Sequence, residues 1–194
     1  MLQRRKRVFG VMATALVAMI LLAAAPAKAT VVVSLSPANQ SVDIGDGTAS
    51  VDIIAVIPQA DAVVGWGLDL DLFGSSVSIG GASVNEPTWT AVSGTDLDGL
   101  AGLVPFSPGT AIWSDPVAIV LATVTLSLDS LGTTNLTLSD DNPADLSEGF
   151  ALDPPPVGEF ADVTYEPGSI TVTPEPASLV FLLLGGMACV SRRR

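Results

Sequence analysis

Between residues 30 and 173 the chain has no histidine, no lysine and no arginine. The lack of imidazole excludes a His-based triad, a His metal ligand and an imidazole proton shuttle from that stretch. The lack of cations removes any clamp for phosphate and any counterion-release route to nucleic acid, which is therefore not an expected partner. The single cysteine, Cys189, stands near the C-terminus, so the same stretch holds no disulfide. Paired carboxylates alone can hydrolyse glycosides, which keeps a glycoside-active enzyme as an alternative. Together the absences point to a domain that is not an enzyme.

What is there is acid. Of the 20 Asp and Glu residues, all but Glu175 lie within 30–173. The whole chain carries a net charge of −12, but this stretch alone is near −19. Unpaired carboxylates repel one another at neutral pH. Acidic disordered chains are poor in apolar residues, whereas the whole chain is 48% hydrophobic and 30–173 is itself rich in Val, Ile, Leu and Ala, so a folded domain is expected. Its roughly 144 residues suffice for one hydrophobic core. Divalent cations would relieve the repulsion, and hard oxygen ligands suit calcium.

The eight basic residues divide between the two ends. Arg4, Arg5, Lys6 and Arg7 precede an apolar run from Val8 to Ala25, and Ala27-Lys28-Ala29 supplies an A-x-A cleavage site with Ala27 and Ala29 as its small residues. Residues 1–29 therefore read as a signal peptide with a helical apolar segment. The Arg4-Arg5 pair leaves Sec and twin-arginine export both open. At the other end, Pro174-Glu175-Pro176 is followed by an apolar stretch from Ala177 to Val190, then Ser191 and the tail anchor Arg192, Arg193 and Arg194. A helix of that stretch would span roughly 21 Å, short of a bilayer core of about 30 Å. Such a short transmembrane helix suits transient anchoring, with its basic end in the cytoplasm.

This three-part tail, residues 174–194, closely resembles the PEP-CTERM sorting signal of Gram-negative bacteria. The resemblance implies processing by an exosortase near Pro174, Glu175 and Pro176 after transient residence in the inner membrane. It also implies release to the cell surface or into an extracellular polysaccharide matrix, as in a biofilm. The family commonly places Val before the motif, where this chain has Thr173.

Between the ends, period-two alternation dominates. Val51, Ile53, Ala55 and Ile57 fall on one strand face; Trp66, Leu68, Leu70 and Leu72 on another, with Asp69 and Asp71 opposite. Ala122, Val124, Leu126 and Leu128 alternate with Thr123, Thr125 and Ser127; Thr134, Leu136 and Leu138 follow, then Ile170 and Val172. Alternate side chains leave opposite faces of a sheet, so one face is buried and the other wetted. Gly45-Asp46-Gly47, Gly80-Gly81, Gly132 and Gly168 punctuate the runs as turns, and Pro154-Pro155-Pro156 marks a stiff connection. The pattern predicts an all-β fold, an antiparallel two-sheet sandwich, with room for one helical turn over 97–103.

Val31-Val32-Val33-Ser34-Leu35 with Val42-Asp43-Ile44-Gly45-Asp46 resembles the opening strands of cohesin-like domains. Gly65-Trp66-Gly67-Leu68-Asp69-Leu70, Leu121–Leu126 and Gly168–Val172 continue the likeness over most of 31–173. The resemblance implies a jelly-roll-type sandwich of about nine strands, related in fold to carbohydrate-binding modules. It further implies a non-catalytic domain that binds carbohydrate or a surface protein. Cellulosomal cohesins bind dockerins through an exposed sheet face, but this chain carries no dockerin-type calcium repeat. A purely structural acidic matrix component is the competing reading.

Two sets of residues are candidate sites. Trp89 and Trp113 stand beside Pro87, Pro108 and Pro116, where an indole can stack on a sugar ring or pack at a sheet edge. Trp66 continues an apolar strand face and reads as core. Asp140, Asp141, Asn142, Asp145 and Glu148 form a candidate calcium loop outside the EF-hand pattern; the alternative is a solvated acidic turn.

Overall fold

The computed structural model of the protein describes residues 30–91, 99–103, 111–140, 148–153 and 160–175. Residues 1–29, where a signal peptide is expected, Pro154–Pro156 and everything beyond Glu175 lie outside them. The described strands are β1 (Val31–Ser36), β2 (Asn39–Asp43), β3 (Thr48–Val56), β4 (Val63–Phe73), β5 (Val77–Val84) and β6 (Thr90–Ala91). They continue with β7 (Gly99–Leu103), β8 (Ile119–Leu128), β9 (Gly132–Ser139), β10 (Gly149–Leu152), β11 (Val163–Tyr165) and β12 (Gly168–Thr173). Short 3₁₀ turns occupy Ile44–Asp46 and Gln59–Asp61. Among the described residues no helix is long and apolar enough to cross a membrane.

The strands form two sheets. One is five-stranded in the order β11-β1-β3-β8-β5; the other is seven-stranded, β2-β12-β9-β4-β7-β6, with β10 also on β4. The alternation read from the sequence is the alternation of burial. Val31, Val33, Val51, Ile53, Ala55, Val124 and Leu126 face inward from the first sheet. Trp66, Leu68, Leu136, Phe150, Ile170 and Val172 meet them from the second. Leu72 and Leu128, at strand ends, are only half-buried.

Three expectations need correction. The described strands number twelve rather than about nine. The sandwich is not purely antiparallel, because β1 pairs with β11 and β2 with β12 in parallel. The cause lies in two matching crossovers. The opening segment passes from one sheet to the other at Ser36-Pro37-Ala38, and the closing segment does the same at Glu166-Pro167. Proline has no N–H for a ladder, so each strand breaks there. Glu166 N donates to Val33 O at 2.8 Å and Ser169 N to Ala38 O at 2.8 Å, which holds the two crossovers side by side. Finally, Gly99–Leu103 is strand rather than helical turn, paired antiparallel with Gly65–Asp69. Gly102 lets it approach β4 closely: a Cβ there would lie 2.9 Å from the Trp66 indole.

One buried polar pair links the sheets. Ser76, ahead of β5, and Thr134, in β9, are 2% and 0% exposed, and their hydroxyls lie 2.7 Å apart. Ser76 N also donates to the Thr134 hydroxyl at 3.2 Å, and Asp129 N donates to Ser76 O at 2.9 Å. Buried hydroxyls cost stability unless bonded, and here each satisfies the other.

Candidate binding face

The outer face of the seven-stranded sheet gathers hydroxyls and amides in rows. Inward Thr134, Leu136 and Leu138 force Thr133, Asn135, Thr137 and Ser139 outward on β9. The same parity turns Asp69, Asp71 and Phe73 outward on β4, and Ser169, Thr171 and Thr173 outward on β12. Register then aligns Asn39, Ser169, Asn135 and Phe73 in one row across β2, β12, β9 and β4. A second row runs Ser41, Thr171, Thr133. Asp71 stands opposite Thr137, and Asp69 opposite Ser139.

Hydrogen bonds fix the rows. Ser169 Oγ donates to Asn39 Oδ1 at 2.8 Å, and the Thr133 and Thr171 hydroxyls lie 2.9 Å apart. Thr173 Oγ1 donates to Val42 O at 3.0 Å and to Asp43 Oδ1 at 3.3 Å. At the end of the first row Phe73 is 61% exposed, an aromatic ring standing beside a polar platform. Sequence reading passed over Phe73. Its signal was the parity of β4, which sets it on the acidic side of the strand and off the apolar one.

The other outer face differs. There Val32, Ile54, Val56 and Val120 form a half-buried apolar group at one end. At mid-sheet Thr123 Oγ1 donates to Asp52 Oδ1 at 2.6 Å.

The residues singled out from sequence are scattered. Trp89 is fully buried, with its ring edge-on to Trp66 at 6.1 Å between centroids and 85° between planes. It offers no face to a sugar, and its candidacy as a stacking residue ends there. The driving force is the area a buried indole removes from water, together with the edge-to-face arrangement that aromatic pairs favour. Trp66 is core, as its strand face implied. Trp113 is 53% exposed just ahead of the turn at Asp115-Pro116, where Val117 N donates to Ser114 O at 2.6 Å and Ser114 Oγ to Ala55 O at 3.2 Å.

Asp140 is half-buried at the end of β9, and Glu148 is 6% exposed just before β10. Gly149, with φ at +92°, brings the two ends together: a Cβ there would lie 3.7 Å from Asp140 Oδ2. Asp141, Asn142 and Asp145 lie outside the described residues. Among the described residues no three His, Cys, Asp or Glu side chains form a metal-holding group. Pro174 and Glu175 are exposed directly after β12, with the Glu175 carboxylate against Gly45. Pro176, Ala27, Ala29 and Arg192–Arg194 lie outside the described residues.

No protein-family model matches the chain, and no curated protein matches it. Solved structures do. The third ScaB cohesin of R. flavefaciens, in complex with a group 1 dockerin, aligns at a TM-score of 0.53 and 13% identity, over 78% of this chain and all of that one. A non-cellulosomal cohesin from the hyperthermophilic archaeon Archaeoglobus fulgidus aligns at 0.50 and 12%, over 78% of this chain and 96% of that one. A chain of a complex between CaCohA2 and a CaDoc0917 variant aligns at 0.50 and 18%, over 74% of this chain and 100% of that one. At these identities the likeness is one of fold. The described domain is a cohesin-like β-sandwich.

Proposed function

We propose that this chain is an exported, non-catalytic binding module that takes a protein partner on the outer face of its seven-stranded sheet. The observation that carries the reading is the ordered row Asn39, Ser169, Asn135, Phe73 on a cohesin-like frame. Flat hydroxyl and amide rows with one exposed aromatic supply hydrogen bonds around an apolar anchor. A partner with Lys and Arg would complement Asp43, Asp69 and Asp71, since 30–173 has no cation of its own. A photo-crosslinker at Asn135 should capture that partner in the native host, and Phe73→Ala should weaken the complex at least tenfold, as loss of an interface anchor does. Equal binding by Phe73→Ala would overturn the reading. A glycan array read with Trp113→Ala tests the carbohydrate alternative through the indole that stays exposed.

The ends supply the address. A signal peptide at 1–29 and the sorting tail at 174–194 deliver the module to the cell surface or matrix, with exosortase removing the tail near Pro174, Glu175 and Pro176. Mass spectrometry of the released protein should find no peptide from Phe181 to Arg194; an intact tail would refute this part. The acidity of 30–173 supports a second reading, a matrix component cross-linked through calcium at Asp140, Asp141, Asn142, Asp145 and Glu148.

A further inference from the structure

We propose that the free edge of β5 is a self-association site, where a second copy of this chain adds its own β5 antiparallel and joins two five-stranded sheets into one. The partner is identified by the strand itself. Val77-Ser78-Ile79-Gly80-Gly81-Ala82-Ser83-Val84 reads nearly the same in both directions. A two-fold axis between Gly80 and Gly81 would set Val77 opposite Val84 of the second copy, Ser78 opposite Ser83, and Ile79 opposite Ala82. A two-fold interface requires such self-complementarity.

The bulge in β5 makes this register physically consistent. Residues directly opposite in an antiparallel pair must share a face. Val77 and Val84 are seven apart, so a regular strand would send them to opposite faces. In β5 the pairing with β8 slips between Ile79 and Gly81, leaving Gly80 as the extra residue. Val77, Ile79, Ala82 and Val84 therefore share one side of the sheet, the side of Leu128, Leu126, Val124 and Ala122, with Ile79 and Ala82 left exposed at this edge. Ser78 and Ser83 share the outward side, opposite Ser127 and Thr123. Every cross-copy pair then matches in face as well as in chemistry.

The edge is also open. β5 pairs only with β8 among the described strands, and every residue from Ser78 to Ser83 is exposed, Ile79 by 50%. A long, uncharged edge strand is a template for another chain. The other terminal strands of the two sheets are blunted. β11 has three residues between Asp162 and Glu166, β2 has five and ends on Asp43, and β6 has two. No charged residue occurs from Leu72 to Asn85. The seam is short and the copies repel through their net charge, so association is weak, concentration-dependent and strengthened by salt.

Sedimentation equilibrium of the full chain at low and at about 0.5 M sodium chloride tests this. The expected result is a reversible monomer–dimer equilibrium that tightens with salt. Ser78→Glu with Ser83→Glu puts like charges opposite each other twice and should raise the dissociation constant about tenfold. Ser78→Glu with Ser83→Lys makes both pairs opposite in sign and should restore the dimer. Amide exchange over Ser78–Ser83 in the unaltered chain should slow as protein concentration rises, a readout that needs no variant to fold. Monomer at every concentration and salt, equal association by the doubly acidic variant, or no rescue by the Glu–Lys variant would each overturn the proposal.

Discussion

At the scale of single residues, the three tryptophans show how position in a sheet overrides local sequence. Trp89 stands two residues after Pro87, where stacking on a sugar and packing at a sheet edge are both open readings, and it is fully buried against Trp66. The contact joins residues 23 apart and no local pattern announces it. Trp66, by contrast, sat in an unbroken alternation and was legible. Trp89→Ala should therefore cost about 3–5 kcal/mol, while Trp113→Ala should stay within about 0.5 kcal/mol; denaturant melts of both decide. Loss of stability at Trp113 comparable to that at Trp89 would mean that the Trp113 indole is packed in solution and not exposed. Gly102→Ala makes a finer test of the same packing. Its methyl would meet the Trp66 ring at 2.9 Å, so overpacking should cost about 1–3 kcal/mol. Thr134→Val removes a buried hydroxyl and leaves Ser76 unsatisfied, for which about 1–3 kcal/mol is expected.

At the scale of elements, hydrophobic period fixes which residues face inward but not which strand lies beside which. The alternating runs named from sequence became strands with the expected inward faces, save Ile57, buried just beyond β3, and Leu72 and Leu128, half-buried at strand ends. Pairing direction stayed hidden, because a parallel neighbour and an antiparallel one demand the same alternation. The paired crossovers at Pro37 and Pro167 were visible only as isolated prolines, and their partnership needs contacts more than 120 residues apart, such as Ser169 with Asn39. The candidate face was half-legible for the same reason. Its hydroxyls and acids are legible in the sequence as the wetted half of each strand, but the row that ends at Phe73 exists only once four strands are in register. Order in the sheets also predicts dynamics. β3 and β8 are paired on both sides in the five-stranded sheet, whereas β6 and β11 are short terminal strands. Hydrogen exchange should be slowest in β3 and β8 and fastest in β6 and β11; uniform protection across these four strands would contradict the observed order.

At the scale of the whole molecule, the lack of cations within 30–173 is an energetic fact. Carboxylates on the described surface, among them Asp43, Asp71, Glu86 and Asp153, have no Lys, Arg or His anywhere in 30–173 to pair with. With no cation within 30–173, that stretch holds against their mutual repulsion by packing and hydrogen bonds, among them Thr123 to Asp52 and Thr173 to Asp43. Screening should then stabilise it. Raising sodium chloride from low ionic strength to about 0.5 M contracts the Debye length below the spacing of most surface charges. Each kcal/mol of relieved repulsion should lift the melting midpoint by about 2–4 °C for a domain of this size. Calcium at matched ionic strength separates the two accounts of the acid. If Asp140 and Glu148 join the intervening acids in a true site, calcium must raise the midpoint beyond what sodium achieves, because binding to the folded state adds to screening. Equal midpoints in the two salts would reduce the acidic loop to a solvated turn, and a midpoint that ignores salt altogether would show that repulsion is not what this fold works against.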